Sequence, residues 1–236
     1  MQPKESINDF VIKFANVNGT GSASANGMFA KAIFRMGIPV SPRNIFPSNI
    51  QGLPTWYEVR VSQDGYLGRR GGIDMMVSVN PQSFAKDVSE VEPGGYMVYD
   101  TTKPLDLRHV RRDVNYLGIP LTEMCLREYT DSRQRQLFKN VIYVGALAAL
   151  LNIDFAILKD LVREQFKGKE KLITPNIHAL EMGHQYASTH FTCPLGIHLK
   201  AGEQTPKHIE EFDQILMDGN TATALGAVYA GATVAA

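Results

Sequence analysis

Apolar residues in this chain fall into short runs and stripes separated by polar, glycine-rich turns. Phe10–Ala15 is a brief run of β-forming residues. The stretch Asn18–Ser24 is rich in glycine and serine. From Ala25 to Met36, the residues Met28, Phe29, Ala32, Ile33 and Met36 share one helical face. Gly37 then supplies a helix stop. The pattern predicts strand, tight turn and helix, with a second strand at Ile38–Val40. That is the opening of an α/β sheet.

Trp56–Val61 alternates sides, as a strand does. Ile73–Val79 is almost wholly apolar, which suits a central strand covered on both faces. Pro81 opens a short helix, and Tyr96–Asp100 reads as another strand. Leu105–Asp113 is basic and loop-like. Asp131 caps a long helix to Leu151, with Leu137, Val141, Val144, Leu147 and Leu151 along one stripe. Asp154 caps another helix to Phe166. Thr174-Pro175 starts a third, to Ala187. These consecutive helices break the β–α alternation and predict a helical cap.

From Ser188 to Pro206 periodicity is lost, and the composition reads as a linker. After it come a short strand at Gln214–Met217, a turn at Asp218-Gly219, and a small-residue helix, Thr221–Ala236, capped by Asn220. The expected organisation is a three-layer α/β/α domain over residues 1–187, a linker over 188–212, and the first βα unit of another domain over 213–236. A domain begun and not completed leads to the expectation that the chain is a piece of a longer polypeptide.

The chain has 236 residues, 44% of them hydrophobic and 20% charged, which disfavours disorder. Lys+Arg and Asp+Glu balance at 24 each. Generic binding to nucleic acid is therefore disfavoured. No run supplies the roughly 20 apolar residues of a membrane span, and the polar start does not read as a signal peptide. Cys125 and Cys193 are too few for an iron–sulfur cluster or a disulfide scaffold. Free thiols point to a reducing compartment, so a cytoplasmic location is expected.

Two features could bind an anion. The loop Gly19-Thr20-Gly21-Ser22 lies between strand and helix, where backbone N–H groups and the helix end favour negative charge. It is not a dinucleotide fingerprint, because Ser24 stands where the third glycine belongs and Arg43 where a ribose-binding acid would be. It is not a Walker loop either, since no lysine precedes Ser22. The alternative is a turn that packs helix on sheet. The second feature is Arg60, Arg69 and Arg70 around a glycine-rich turn, whose guanidinium forks suit phosphate or carboxylate. If this hairpin lies near the first loop, the two could share an anionic tail. The alternative is a solvated hairpin with ion pairs. Arg108, His109, Arg111 and Arg112 read as a solvated basic face. His178, His184, His190, Cys193 and His198 lack the paired spacing of a zinc site. No nucleophile elbow or carboxylate pair is visible.

The segment 14–27, Phe-Ala-Asn-Val-Asn-Gly-Thr-Gly-Ser-Ala-Ser-Ala-Asn-Gly, resembles the opening of the gamma domain of 2-oxoacid:ferredoxin oxidoreductases. Residues 36–41, 46–61 and 65–70 (Gly-Tyr-Leu-Gly-Arg-Arg) look like the version fused to the alpha subunit, the 2-oxoglutarate type. Residues 137–151, with Asn140 and Gly145-Ala146-Leu147, are similar to the family's long helix. Residues 218–232 look like the start of the alpha subunit's pyrimidine domain. Residues 46–70 are the most specific block. One departure is Ser22, where many members carry a glycine.

The resemblance implies that a 2-oxoacid, coenzyme A and oxidised ferredoxin give acyl-CoA, carbon dioxide and reduced ferredoxin. It implies thiamine diphosphate with magnesium and [4Fe-4S] clusters in the full complex, none held by this segment alone. It implies a beta subunit, a second copy of the heterodimer, ferredoxin and coenzyme A as partners. This segment would then hold no catalytic residue and no metal. Gly19, Thr20, Gly21, Ser22, Arg60, Arg69 and Arg70 are the expected anion contacts. The alternatives are a stand-alone nucleotide- or coenzyme A-binding module, and an assembly subunit without a ligand.

Overall fold

The computed structural model describes residues 3–17, 19–46, 53–201 and 215–233. The chain divides into a unit over Met1–Thr205 and another over Pro206–Ala236. In the first unit the strands are β1 (Ser6–Ile7), β2 (Asp9–Val17), β3 (Val40–Ile45), β4 (Pro54–Ser62), β5 (Ile73–Ser78), β6 (Val91–Asp100), β7 (Asn115–Ile119) and β8 (Ile197–His198). Its helices are α1 (Ser22–Arg35), α2 (Phe84–Glu90), α3 (Leu121–Glu128), α4 (Ser132–Leu151), α5 (Phe155–Gln165) and α6 (Glu170–His190).

The main sheet runs β3-β4-β2-β5-β6-β7. Strands β2, β5, β6 and β7 are parallel, while β4 is antiparallel to both β2 and β3. Phe10, Ile12 and Phe14 of β2 pack with Phe29 and Ile33 of α1 and Tyr143 of α4 on one face. Val11 and Ala15, one residue out of phase, pack with Met76, Met97 and the α2 residues Phe84 and Val88 on the other. Each fully buried side chain of this kind contributes roughly 1.5–3 kcal/mol. These two cores make the three layers. Every residue of β5 is buried, as its apolar run predicts.

Helix α4 is the central helix. Almost every side chain from Phe138 to Leu151 is buried, so it is apolar all round rather than striped. Leu137, expected on the buried stripe, is half-exposed instead. Asp131 and Asp154 cap α4 and α5 as the sequence predicts, accepting from Gln134 N and Ala156 N.

Several boundaries differ from the sequence reading. Helix α1 starts at Ser22, not Ala25, because Gly21 occupies the N-cap. Strand β3 begins at Val40, where Ile38–Val40 was expected. Strand β7 and helix α3 escape the pattern altogether. Helix α6 starts at Glu170, which leaves Pro175 inside it at the cost of one backbone bond.

The segment read as a linker from Ser188 is structured through residue 201. Helix α6 continues to His190, and Leu195, Ile197 and Leu199 are buried in the main core. Leu195 N and Leu199 N donate to the carbonyls of Leu150 and Leu151, both at 2.8 Å. Strand β8 pairs in parallel with β1. Buried apolar spacing of two outweighs the Pro, Gly and His composition here.

In the second unit, helix α7 spans Gly219–Tyr229. Its cap is Asp218 rather than Asn220: the carboxylate accepts from Thr221 N at 2.8 Å and Thr221 Oγ1 at 3.0 Å. Ile215–Met217 is not a strand, and Gln214 and residues 234–236 lie outside the described residues.

Candidate functional site: a cleft at the carboxyl ends of β2 and β5

The chain leaves β2 through α1 on one face of the sheet and leaves β5 through α2 on the other. The two connections diverge where β2 and β5 lie side by side. A crevice outside the carboxyl ends of parallel strands follows from that divergence. It is a cleft of about 320 Å³ lined by Asn16, Thr20, Asn80, Lys103, Lys139 and Asn140. A more apolar slot of about 90 Å³, with Phe84, Tyr99 and Leu105 in its walls, shares Lys103 and Pro81 with it.

The glycine loop forms one rim. Gly19 and Gly21 both have positive φ, 81° and 77°. A side chain on Gly21 would also collide with Leu137, whose Cδ2 lies 2.4 Å from the position of a Cβ. The loop is tied at two points. Thr20 Oγ1 donates to the Val17 carbonyl at 2.8 Å. Asn140 Nδ2, from α4, donates to the Thr20 carbonyl at 2.7 Å. Gly21, at the N-cap of α1, has no side chain to bond the first turn, so the first-turn N–H groups keep their capacity to face an anion.

Lys103 and Lys139 give the cleft its positive charge. Burial pushes the Lys139 ammonium below its ordinary range, and the nearby Lys103 pushes the same way, while Asp100 opposes them. A bound anion would favour the charged ammonium and so offset the lowering. Asp100 itself is committed to α3, accepting from Thr122 N at 3.2 Å, and to its own turn, accepting from Thr102 N at 3.1 Å. Asn80 Oδ1 caps the turn after β5 by accepting from Gln82 N at 3.1 Å.

The predicted arginines do not join this site. Arg60 pairs with Val11 in the register of β4 on β2, and Ser62 pairs with Asp9. The segment beyond it is not the expected hairpin, since β2 lies between β4 and β5; this crossover emerges at the amino end of β2, roughly 20–25 Å from the glycine loop at about 3.3 Å per residue. Arg60 is buried, pairs with Asp9 and donates to the backbone carbonyls of Phe10 and Val61. Arg70 pairs with the fully buried Asp74, which also holds Lys4 and accepts from Val11 N at 2.7 Å. Arg60 and Arg70 belong to an internal ion network. Arg69 is exposed at the same end. Arg43, on β3, is held by Glu58 at 2.8 Å. The loop and the arginines thus do not share one ligand.

The basic run after β6 is paired locally. Arg108 and His109 reach Asp106, and Arg111 reaches Asp113 and the carbonyls of Val88 and Val91. The histidines are dispersed: His178 meets Glu128 at 3.0 Å, His184 lies against Phe155, and His190 stacks on Tyr186. Among the described residues no three His, Cys, Asp or Glu side chains come together. Cys125 is buried in the core and Cys193 donates to the Ala187 carbonyl. These residues do not fit an iron–sulfur cluster. Among the described residues no helix is long and apolar enough to cross a membrane.

Sequence reasoning located the loop but missed Asn16, Asn80, Lys103 and Lys139. Asn80-Pro81 directly after a buried strand was the available signal for one rim.

Comparison with known proteins fits this geometry. The family model for pyruvate ferredoxin/flavodoxin oxidoreductase matches residues 11–186. The alpha subunit of 2-oxoacid:ferredoxin oxidoreductase 2 from Aeropyrum pernix is 24% identical over 79% of this chain and 35% of its own length. The 2-oxoglutarate oxidoreductase subunit KorA of Mycobacterium tuberculosis is 21% identical over 97% of this chain and 38% of its own. Among solved structures, 2-oxoglutarate:ferredoxin oxidoreductase from Magnetococcus marinus, with 2-oxoglutarate, coenzyme A and succinyl-CoA bound, superposes with a TM-score of 0.80. It is 25% identical, over 95% of this chain and 37% of that one. The gamma subunit of a keto/oxoacid ferredoxin oxidoreductase from Geobacter sulfurreducens shares the fold, with a TM-score of 0.61 at 18% identity, over 76% of this chain and 99% of that one. The chain thus spans little more than a third of the two curated relatives, whose names describe subunits. With its sheet, its glycine loop and three quarters of its length matched, the chain belongs to the pyruvate ferredoxin/flavodoxin oxidoreductase family.

Proposed function

We propose that this chain supplies the coenzyme A-facing gamma domain of a 2-oxoacid:ferredoxin oxidoreductase, with 2-oxoglutarate as the oxoacid. The whole assembly converts the oxoacid and coenzyme A to acyl-CoA and carbon dioxide, passing an electron pair to ferredoxin. The observation that carries the reading is the polar cleft at the β2/β5 divergence in a chain of this family. The substrate preference is supported by the likeness to the Magnetococcus marinus enzyme and to KorA.

In this reading the cleft binds and orients, and no proton moves on this chain. Lys103 and Lys139 neutralise an anionic part of coenzyme A. The glycine loop offers backbone N–H groups beside them. Thiamine diphosphate, magnesium and the [4Fe-4S] clusters sit on other parts of the assembly, in a beta subunit and in the pyrimidine domain that α7 begins. The complex works in the cytoplasm as paired heterodimers.

The test uses the intact complex, with ferredoxin reduction followed optically. 2-Oxoglutarate is expected to support reduction only when coenzyme A is present, and pyruvate and 2-oxoisovalerate to support it poorly. Reduction by pyruvate at an equal kcat/KM would overturn the substrate assignment. No reduction with any 2-oxoacid would overturn the activity.

A further inference from the structure

The cleft contains two buried amide groups that the fold leaves unsatisfied. Among the described residues, Asn16 Oδ1 and Asn80 Nδ2 are both buried without a partner, on side chains 3% and 2% exposed. Both residues line the cleft. An unpaired buried polar atom costs about 1–3 kcal/mol, so two in one cleft call for an explanation.

Each amide lies against a neighbouring group of the fold. The fully buried Tyr143 hydroxyl donates to Asn26 Oδ1 at 2.7 Å and is also hydrogen-bonded by the Asn16 side chain. On Asn16 the atom left unpaired is the side-chain oxygen. Asn80 uses its oxygen to cap Gln82 N and is left with its NH₂ group. The fold therefore presents one unpaired acceptor and one unpaired donor.

We propose that Asn16 and Asn80 are a reading pair for a neutral ligand edge with an N–H or O–H donor beside an acceptor atom, next to the anion held by Lys103 and Lys139. This rests on the coenzyme A reading above. Coenzyme A carries such an edge in two places: the secondary amides of its pantetheine arm and the amino edge of its adenine. Tyr143 and Asn26 are positioning residues, which act through Asn16.

Coenzyme A is titrated by calorimetry into the intact complex carrying Asn80→Ser or Tyr143→Phe. Asn80→Ser keeps a capping oxygen and loses the amide donor. Tyr143→Phe removes the hydroxyl that the Asn16 side chain meets. Each is expected to weaken coenzyme A about tenfold and to raise its KM by more than it lowers kcat. Competition by adenosine 3′,5′-bisphosphate and by 4′-phosphopantetheine then locates the edge, on whichever half loses affinity in Asn80→Ser. Lys139→Gln is the reference. If affinity falls in Lys139→Gln but holds in both amide variants, the two asparagines satisfy each other and the reading pair is overturned, while the coenzyme A site stands. If it holds in all of them, the coenzyme A site fails and the pair with it.

Discussion

Gly145 of α4 and Gly183 of α6 are reciprocal contact points. A Cβ on Gly145 would lie 2.0 Å from the Leu180 carbonyl oxygen, and one on Gly183 would lie 1.9 Å from the Ile142 carbonyl oxygen. The two helices therefore touch backbone to backbone. Neither carbonyl can withdraw without breaking its own helix. Gly183→Ala is expected to force the helices apart and cost about 2 kcal/mol or more, within the range of overpacked cores. For a domain of this size that lowers Tm by roughly 4–8 °C. Because α4 also carries Asn140 and Lys139, the same variant should weaken coenzyme A binding; calorimetry on the complex checks both.

Asp87 makes a different kind of prediction. Its carboxylate is fully buried and accepts from Trp56 Nε1 at 2.9 Å and from the hydroxyls of Ser78 and Ser83, both at 2.8 Å. It ties β4, β5 and α2 together. Asp87→Ala strands three donors and should destabilise by about 2–4 kcal/mol. Burial nonetheless raises the carboxyl above its ordinary 3.8, with the three donors opposing. Between 3.8 and the raised value the folded state holds a proton that the unfolded chain has lost, so the contribution of Asp87 falls as pH rises through that window. The loss in Asp87→Ala should therefore grow on acidification from neutral pH. Urea melts at neutral and mildly acidic pH measure it. A loss that shrinks with acid would mean that the donors outweigh burial.

Much of this fold was legible because its signals are local. Alternation and apolar runs located β2, β4 and β5, and Asp131 and Asp154 announced two helices. What was not legible depends on register and packing. Strand β7 is short and buries mainly Leu117 and Ile119, too few for a pattern. Pro175 suggested a helix start, but the preceding turn was already helical. At the site, the glycine loop had a recognisable composition, whereas Lys103, Lys139, Asn16 and Asn80 converge from four separate segments. Arg60, Arg69 and Arg70 looked like loop partners only because sequence gives no strand direction. The antiparallel pairing of β4 carries them to the opposite end of the sheet.

Asn8 adds a second tie to the segment after α6, beside its buried leucines and isoleucine. Asn8 has φ 53°. Its N–H donates to the His198 carbonyl at 3.1 Å, its Nδ2 to the Lys200 carbonyl at 2.8 Å, and its Oδ1 accepts from Lys200 N at 2.9 Å. Asn8→Ala loses two side-chain bonds of about 1 kcal/mol each and adds about 1–2 kcal/mol of left-handed strain. Asn8→Gly loses the bonds without the strain. The expected order of Tm is wild type, then Asn8→Gly, then Asn8→Ala. Equal losses in both would mean that the backbone conformation contributes nothing.

The two ends of the sheet should separate in a kinetic experiment. Lys139 lies in the cleft, and a charge-assisted bond from it to an anion is worth about 1.5–3 kcal/mol. At 1.4 kcal/mol per decade, Lys139→Gln should raise the KM for coenzyme A tenfold or more. Arg69, beyond the amino end of β2, should tolerate Arg69→Ala with KM unchanged. Arg70→Ala leaves the buried Asp74 with Lys4 as its remaining charged partner, so it should lower Tm and leave KM unmoved. Salt adds a second readout. Raising ionic strength should raise KM in the wild type and flatten in Lys139→Gln, since screening acts on the charge that was removed. A rise in KM with Arg69→Ala and none with Lys139→Gln would move the coenzyme A contact to the amino end of β2 and reverse the assignment of the cleft.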